Sequence, residues 1–450
     1  MKLKPISIFG TSSDAGKSTI SFVIAKIIQD MGYSVAPFKA QNVSNNAVVA
    51  DDSSEIAVAQ AFQASVLGVT SSYHINPILL KSGGGSSSSL IIEGKVLKRT
   101  EVREYYRDLD ILKPIVKNSF NYLKDRYDCV VCEGAGSPVE LNFMDKDLSN
   151  IYVAQEFKTK IILVADIEKG GVFASIWGVY NLLPKELRDN VIGVIINKFR
   201  GDLTLFDKGI EIIESEFNIP VLGVLPYSTF NLGFEDSLNL MNYRQSNSLD
   251  ALRIAVIAYP TMSNYNDFEP LIVNSNILVE FIKSDMPLDG YDKVILAGSK
   301  LVMRDLEWLK DTGLFSRLQA RDRDILGICG GYEMMFNRVI DIDGVESNRG
   351  SIVDGLGFID DDIIFQRDKI VRSGSYKIFG DEVDGFEIHH GVSKKYPLFY
   401  EDKDKNIRGS FVHNIFADSE FEEYKKRAVD EFVAIMRDRL DIDRVMEAIG

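Results

Sequence analysis

The chain is 450 residues long and poor in cysteine, histidine and tryptophan, with acidic residues outnumbering basic ones. Its three cysteines, Cys129, Cys132 and Cys329, are too few for a disulfide framework. Lys and Arg number 51 against 66 Asp and Glu, a net charge of −15, which excludes the broad basic face that general nucleic-acid binding needs. No apolar run reaches the ~20 residues of a bilayer crossing, and Met1-Lys2-Leu3-Lys4 leads into a short strand pattern, not a signal-peptide core. A cytoplasmic protein with no nucleic-acid or membrane partner is therefore expected; the oligomeric state is not legible. Four histidines without ligand-like spacing disfavour zinc. What is present is a globular composition, 45% apolar and 26% charged, and a length suited to two or three domains at roughly 100–200 residues each.

Short β-branched runs alternate with helical patterns in the first half. Ile6–Phe9, Cys129–Cys132, Lys160–Val164, Val191–Ile196 and Val221–Val224 show little polar alternation, which predicts strands covered on both faces. Thr19–Met31, Glu55–Leu67 and Asp110–Arg126 have helical spacing. The rhythm predicts an α/β fold built on a mostly parallel sheet. Cys129 and Cys132 fall inside one such strand and read as small core residues. Gly83–Ser89 is a loop by composition, either a connector or a lid. The polar stretch Asn242–Asp250 divides the chain into 1–245 and 246–450. Strand patterns resume at Leu252–Ala258, Lys293–Leu296 and Asp324–Ile328. Ile352–His413 holds short strand-like pieces, and Glu420–Arg437 is a closing helix.

Between the strand Ile6–Phe9 and a helix stands Gly10-Thr11-Ser12-Ser13-Asp14-Ala15-Gly16-Lys17-Ser18-Thr19. Backbone N–H groups of such a loop cradle phosphates, helped by the helix N-terminus. Lys17 is placed for the β/γ-phosphates and Ser18 for Mg²⁺. Five residues separate Gly10 from Gly16, one more than usual. Switch ATPases of the partitioning type carry a second lysine near the start of the loop; here that place is Ser12, which disfavours a dimerising switch. Glu133 ends a buried strand and faces the ligand crevice, where Mg²⁺ coordination, direct or through water, is its natural task. Asp51, Asp52 and Glu55 are candidates for a further ligand. Asp166 and Asn197 also end strands, and the Asn197 amide is placed to read an adenine edge.

The second motif is Gly327-Ile328-Cys329-Gly330-Gly331, after the apolar pair Ile325-Leu326 and before the helix-like Tyr332–Phe336. A thiol on a tight glycine-flanked turn from strand to helix has the form of a nucleophile elbow. A helix N-terminus favours its thiolate. His413 is the one histidine after His390 and is the expected proton shuttle. The N–H of Gly330 is one expected oxyanion donor, and the Gly298–Ser299 turn supplies a second. His389 and His390 sit at a strand end with substrate contact, support of the thiol site and plain structure all open. One chain thus carries two kinds of active site.

These motifs, with Ala36–Asn42, Glu55–Ala61, Asn76–Lys81, Glu133–Pro138, Asp166–Ala174, Asn197–Asp202, Pro220–Pro226, Ala297–Lys300, Glu387–Gly391 and Gly409–His413, resemble the cobyric acid synthase family almost end to end. The resemblance implies an N-terminal P-loop domain with the parallel sheet of dethiobiotin synthetase and a C-terminal class I glutamine amidotransferase α/β domain. It implies ATP, Mg²⁺ and L-glutamine as requirements and a corrinoid as substrate. The b, d, e and g carboxylates of adenosylcobyrinic acid a,c-diamide would be amidated, with ammonia attacking an acyl phosphate. Many class I glutaminases place a Glu two residues after the catalytic His; here Ile415 stands there, leaving the third triad member unassigned. Competing readings are the sister a,c-diamide synthase, a cell-wall amidotransferase and a non-catalytic nucleotide switch.

Overall fold

The structure is a computed structural model that describes residues 2–82, 87–101, 109–228, 230 and 251–450. The boundary stretch Asn242–Asp250 lies outside the described residues. So do residues 83–86 of the Gly/Ser tract, while Ser87–Ile92 is a strand.

The first sheet has six parallel strands in the order Val221–Pro226, Val191–Phe199, Lys160–Asp166, Ile6–Gly10, Cys129–Glu133, Val35–Phe38. All five strands expected in this half are present. Alternate residues feed opposite faces: Ile8, Ile162 and Val164 belong to one apolar core, and Phe9, Ile161 and Leu163 to the other. Burial on both sides explains the uninterrupted apolar runs.

The second sheet runs Ile277–Ile282, Leu252–Ile257, Lys293–Leu296, Ile325–Ile328, Ile407–Ser410, Phe399–Asp402, parallel except at the last edge. Beside it lies a four-stranded sheet dominated by the hairpin Ile359–Ile378 and Asp381–Val392. The strand-like pieces of Ile352–His413 are thus these two long strands together with the short strands Ser351–Asp354, Phe399–Asp402 and Ile407–Ser410. Exposed charged residues along the two long strands break the apolar pattern.

Two helix expectations change. Glu55–Ala57 is a strand paired with Ala47–Val49, and the helix begins only at Val58. Tyr332–Phe336 is not a helix throughout: the helical turn is Gly330–Glu333, and Phe336 opens a strand. The cause lies in the chain that returns at 356–359. Its N–H groups bond the carbonyls of Met334, Met335 and Phe336, which a longer helix would have used internally.

The last two helices, Ser419–Arg437 and Ile442–Ile449, return to the first half. Phe421, Val429, Phe432, Val433, Met436, Val445 and Ile449 join the core under the first sheet. Asp441 N–H donates to Leu222 O at 2.8 Å, and Lys4 N–H to Ile449 O at 2.8 Å. Burying each large apolar side chain here is worth about 1.5–3 kcal/mol, so this return tethers the two halves.

Candidate active sites

The loop site is built from one continuous segment and the strand ends around it. Thr11 N–H is tied to Val164 O at 2.9 Å, and Gly16 takes φ 96, a left-handed geometry suited to glycine, before the helix Lys17–Asp30 begins. Lys17 bends back over the loop to Ser12 O at 3.3 Å. Burial lowers its pKa to about 8, offset in part by Glu133 and Asp14. Asn197 is brought to the loop, where its Nδ2 donates to Ala15 O at 2.9 Å. Asp166 accepts from Lys198 at 3.0 Å, and Lys198 also donates to Asp14 O at 2.6 Å.

Glu133 is the hub of this site. Its Oε1 accepts from Ser18 Oγ at 2.6 Å and Lys39 Nζ at 2.8 Å; its Oε2 accepts from Gln60 at 3.3 Å and Gln63 at 3.1 Å. Burial alone would raise its pKa, but Lys39 and these donors hold it below the ordinary carboxylate value. An anionic oxygen beside the Ser18 hydroxyl is a donor set whose chemistry fits Mg²⁺. Asp51, Asp52 and Glu55 are committed elsewhere: Asp51 to Ser71, Asp52 to Ser54 and Tyr73, Glu55 to Lys81 and Lys369. Among the described residues no cluster of three or more His, Cys, Asp or Glu forms a metal cage.

The thiol site is assembled from distant segments. Cys329 itself takes the strained backbone, φ 50 and ψ −110, and its N–H is held by Ser410 O at 2.8 Å. The neighbouring glycines serve closeness instead: a Cβ on Gly330 would lie 2.6 Å from Ser299 N, and one on Gly331 would collide with Leu296 O. The sequence assigned the strained turn to the glycines; the structure assigns it to the nucleophile. The helical turn after it is four residues long, so the helix-terminus contribution to the thiolate is smaller than expected.

His413 and Cys329 line one pocket, and Cys329 is among the groups that raise the His413 pKa. The His413 Nδ1 lies 2.7 Å from Asp267 Oδ2, while Asp267 Oδ1 accepts from Asn414 N–H at 2.8 Å. Phe386 stacks on the imidazole at 5.0 Å, and Phe386 O accepts the His413 N–H at 2.9 Å. Burial would lower the His413 pKa, but Asp267 and Cys329 outweigh it and raise it to about 10. Gly298 stands beside the ring, since a Cβ there would be 3.2 Å from His413 Cε1. Cys329, Gly330, Gly298 and His413 are thus brought together.

Asp267 is the member sequence reasoning missed. It lies 146 residues before His413, on the turn Tyr265–Phe268, and nothing in its local sequence marks it. His389 is packed flat on Phe411, bonded to Glu387 and Gly391 O, and lines the Cys329 pocket. His390 shares the Cys329 pocket with Asn45, Lys81, Lys300 and Lys369; burial, then repulsion from Lys369, lowers its pKa to about 3. Lys81 comes from the first half of the chain, so both halves line this pocket. Glu55 sits fully buried between Lys81 and Lys369: burial opposes its charge, yet the two ammonium groups hold the carboxyl far below the usual range.

A strained cysteine with an imidazole–carboxylate pair, joined to a phosphate-binding loop domain, defines an ATP-binding glutamine amidotransferase. The family model described as a CobQ/CobB/MinD/ParA nucleotide binding domain matches residues 6–232, and the CobB/CobQ-like glutamine amidotransferase domain matches 253–421. The chain is 58% identical to a cobyric acid synthase of Acinetobacter baylyi, with 99% of each chain covered. It is 38% identical to a probable cobyric acid synthase of Picrophilus torridus, covering 99% of this chain and 94% of the relative. A cobyric acid synthase of Listeria monocytogenes is also 38% identical, covering 93% and 86%.

The chain belongs to the cobyric acid synthase family and carries out ATP- and glutamine-dependent amidation in cobalamin biosynthesis. The sister diamide synthase and the non-catalytic switch are not favoured. No described helix is long and apolar enough to cross a membrane.

Proposed function

We propose that this enzyme amidates the b, d, e and g carboxylates of adenosylcobyrinic acid a,c-diamide, and that Cys329, His413 and Asp267 release the ammonia. The observation that carries the nitrogen-donor half of this reading is the Asp267–His413–Cys329 chain, anchored by the 2.7 Å contact at Nδ1. That contact leaves Nε2 for the thiol. The Cys329 sulfur attacks the glutamine δ-carbonyl carbon, and the C–N bond breaks as His413 gives its proton to the departing ammonia. Water then hydrolyses the thioester to glutamate. Gly298–Ser299, expected as a turn, is a short strand paired with Met262–Ser263; its N–H groups and that of Gly330 are proposed to hold the oxyanion, an effect worth roughly 3–4 kcal/mol in the barrier.

At the other site, residues 10–19 and Asn197 would hold ATP, with Lys17 against the transferring phosphoryl group. Ser18 and Glu133 would hold Mg²⁺, which would supply neutralisation of phosphate charge there. Ammonia then displaces phosphate from the acyl phosphate of the acceptor. A cleft just beyond the strand Cys129–Glu133, lined by Gln41, Gly136, Ser137, Phe143 and Met144, offers room for the corrinoid side chain. In this reading residues 1–245 form the amidoligase and 246–450 the amidotransferase, whose last helices are shared with the first core. The test is incubation with the diamide corrinoid, Mg-ATP and glutamine, followed by mass spectrometry. Stepwise conversion of carboxylates to amides supports the assignment; an unchanged diamide, with cobyrinic acid amidated instead, rejects it.

A further inference from the structure

The carboxylate of the thiol site hangs on a turn that is bonded to the other half of the chain. Asn264, left-handed at φ 55 and ψ 53, opens the turn Tyr265–Phe268, and its carbonyl accepts the Asp267 N–H at 3.1 Å. The N–H of Asn264 donates to Asn46 Oδ1 at 2.7 Å, and Asn264 Oδ1 accepts from Ala47 N–H at 3.3 Å. Both asparagines are buried, each 6% exposed, so this two-way contact is shielded from water. Asn46 is itself fixed: its N–H donates to Ser44 Oγ at 3.1 Å, and its carbonyl accepts from Val58 N–H at 3.2 Å.

The hairpin that follows Asn46 reinforces the same seat. Ala47, Ala57, Leu79 and Ile91 from the first half pack with Ile388 from the second, flanked by Val49 and Phe386. Ile388 O accepts from the Cys329 thiol at 3.6 Å, and Phe386 O holds the His413 backbone. The helix capped on Asn46 carries Gln60 and Gln63 to Glu133 of the loop site.

We propose that Asn46, a residue of the nucleotide-binding half, is a positioning residue of the glutaminase: its side-chain carbonyl locks the Asn264 turn and so holds Asp267 on His413. The proposal rests on the triad reading given above. Removing the Asn46 carbonyl leaves a buried N–H of Asn264 without its acceptor, and the turn shifts to find water or another partner. Asp267 shifts with it, and the imidazole loses its fixed orientation. Glutamine hydrolysis then depends on the two halves being seated together, which confines ammonia release to an enzyme whose acceptor domain is in place.

The test uses the full chain as Asn46→Ala, with Cys329→Ala as control. Glutamine hydrolysis is measured across pH, alongside amidation driven by ammonium. Asn46→Ala is expected to lower glutaminase kcat by about 10- to 100-fold with KM within about twofold, as for a reacting group displaced by a fraction of an ångström. The alkaline limb of its kcat profile moves to lower pH, because Asp267 and Cys329 are the groups that raise the His413 pKa. Ammonium-driven amidation stays at the parent level. A folded Asn46→Ala enzyme with parent kcat, or one that loses both activities equally, overturns the proposal. Should that variant unfold, Asn46→Ser keeps a polar group that falls short of Asn264, and the same two outcomes decide. If Cys329→Ala still hydrolyses glutamine, the triad reading fails; if it is dead while Asn46→Ala is unimpaired, the positioning role alone fails.

Discussion

The two active sites of this chain are made in opposite ways. The loop site is nearly all one stretch, Gly10–Thr19, with Glu133 brought beside it by the adjacent strand. The thiol site draws on residues 267, 298, 329 and 413, and its carboxylate turn is bonded to residues 46 and 47. A site of contiguous backbone needs a strand, a turn and a helix start. A site of dispersed side chains needs two domains correctly seated, so disturbance at a distance should reach the second more readily than the first.

That contrast can be broken most severely at Lys17. Lys17→Ala should reduce amidation about a thousandfold with either glutamine or ammonium as donor, while glutamine hydrolysis persists; unchanged amidation would remove Lys17 from the chemistry. Asp267→Asn is expected to lower glutaminase kcat about 100-fold, less than the corresponding loss in a serine enzyme because a thiol is the better intrinsic nucleophile. Ammonium-driven amidation in that variant should match the parent.

Stability sharpens the comparison further. A methyl group on Gly331 would strike the Leu296 carbonyl, so Gly331→Ala should cost about 1–3 kcal/mol in denaturant unfolding. Gly178, inside the helix Val172–Leu182 with open space around it, should respond oppositely, gaining about 0.5–1 kcal/mol as alanine. The His413 pKa is raised in the folded state, so its contribution to stability is complete below about pH 6.5 and is lost as pH rises toward about 10. Unfolding free energies across that window should fall more steeply for the parent than for Asp267→Asn.

Legibility in the sequence followed the same division. Five of the six parallel strands of the first sheet were readable because both faces are buried, the short edge strand Val35–Phe38 being the exception, and the loop was readable because its residues are consecutive. Cys329 and His413 were readable as chemical types, and their meeting depended on family resemblance. Asp267 was invisible because its role comes from a turn placed by Asn46, a contact spanning more than 200 positions. Glu55 looks helical and available to a metal in the sequence, which shows neither its strand pairing with Val49 nor the binding of its carboxylate by Lys369, 314 residues away. The closing helix was expected, but its docking on the first core was not, because amphipathic spacing reveals an apolar face and not its partner.

The most direct measurement is a two-donor assay of the Cys329→Ala enzyme with ATP and the corrinoid acceptor. The account predicts no amidation from glutamine and parent-level amidation from ammonium. Amidation from glutamine at the parent rate, or loss of both in a folded enzyme, would contradict the division into a thiol-driven nitrogen source and a separate ATP-driven acceptor site.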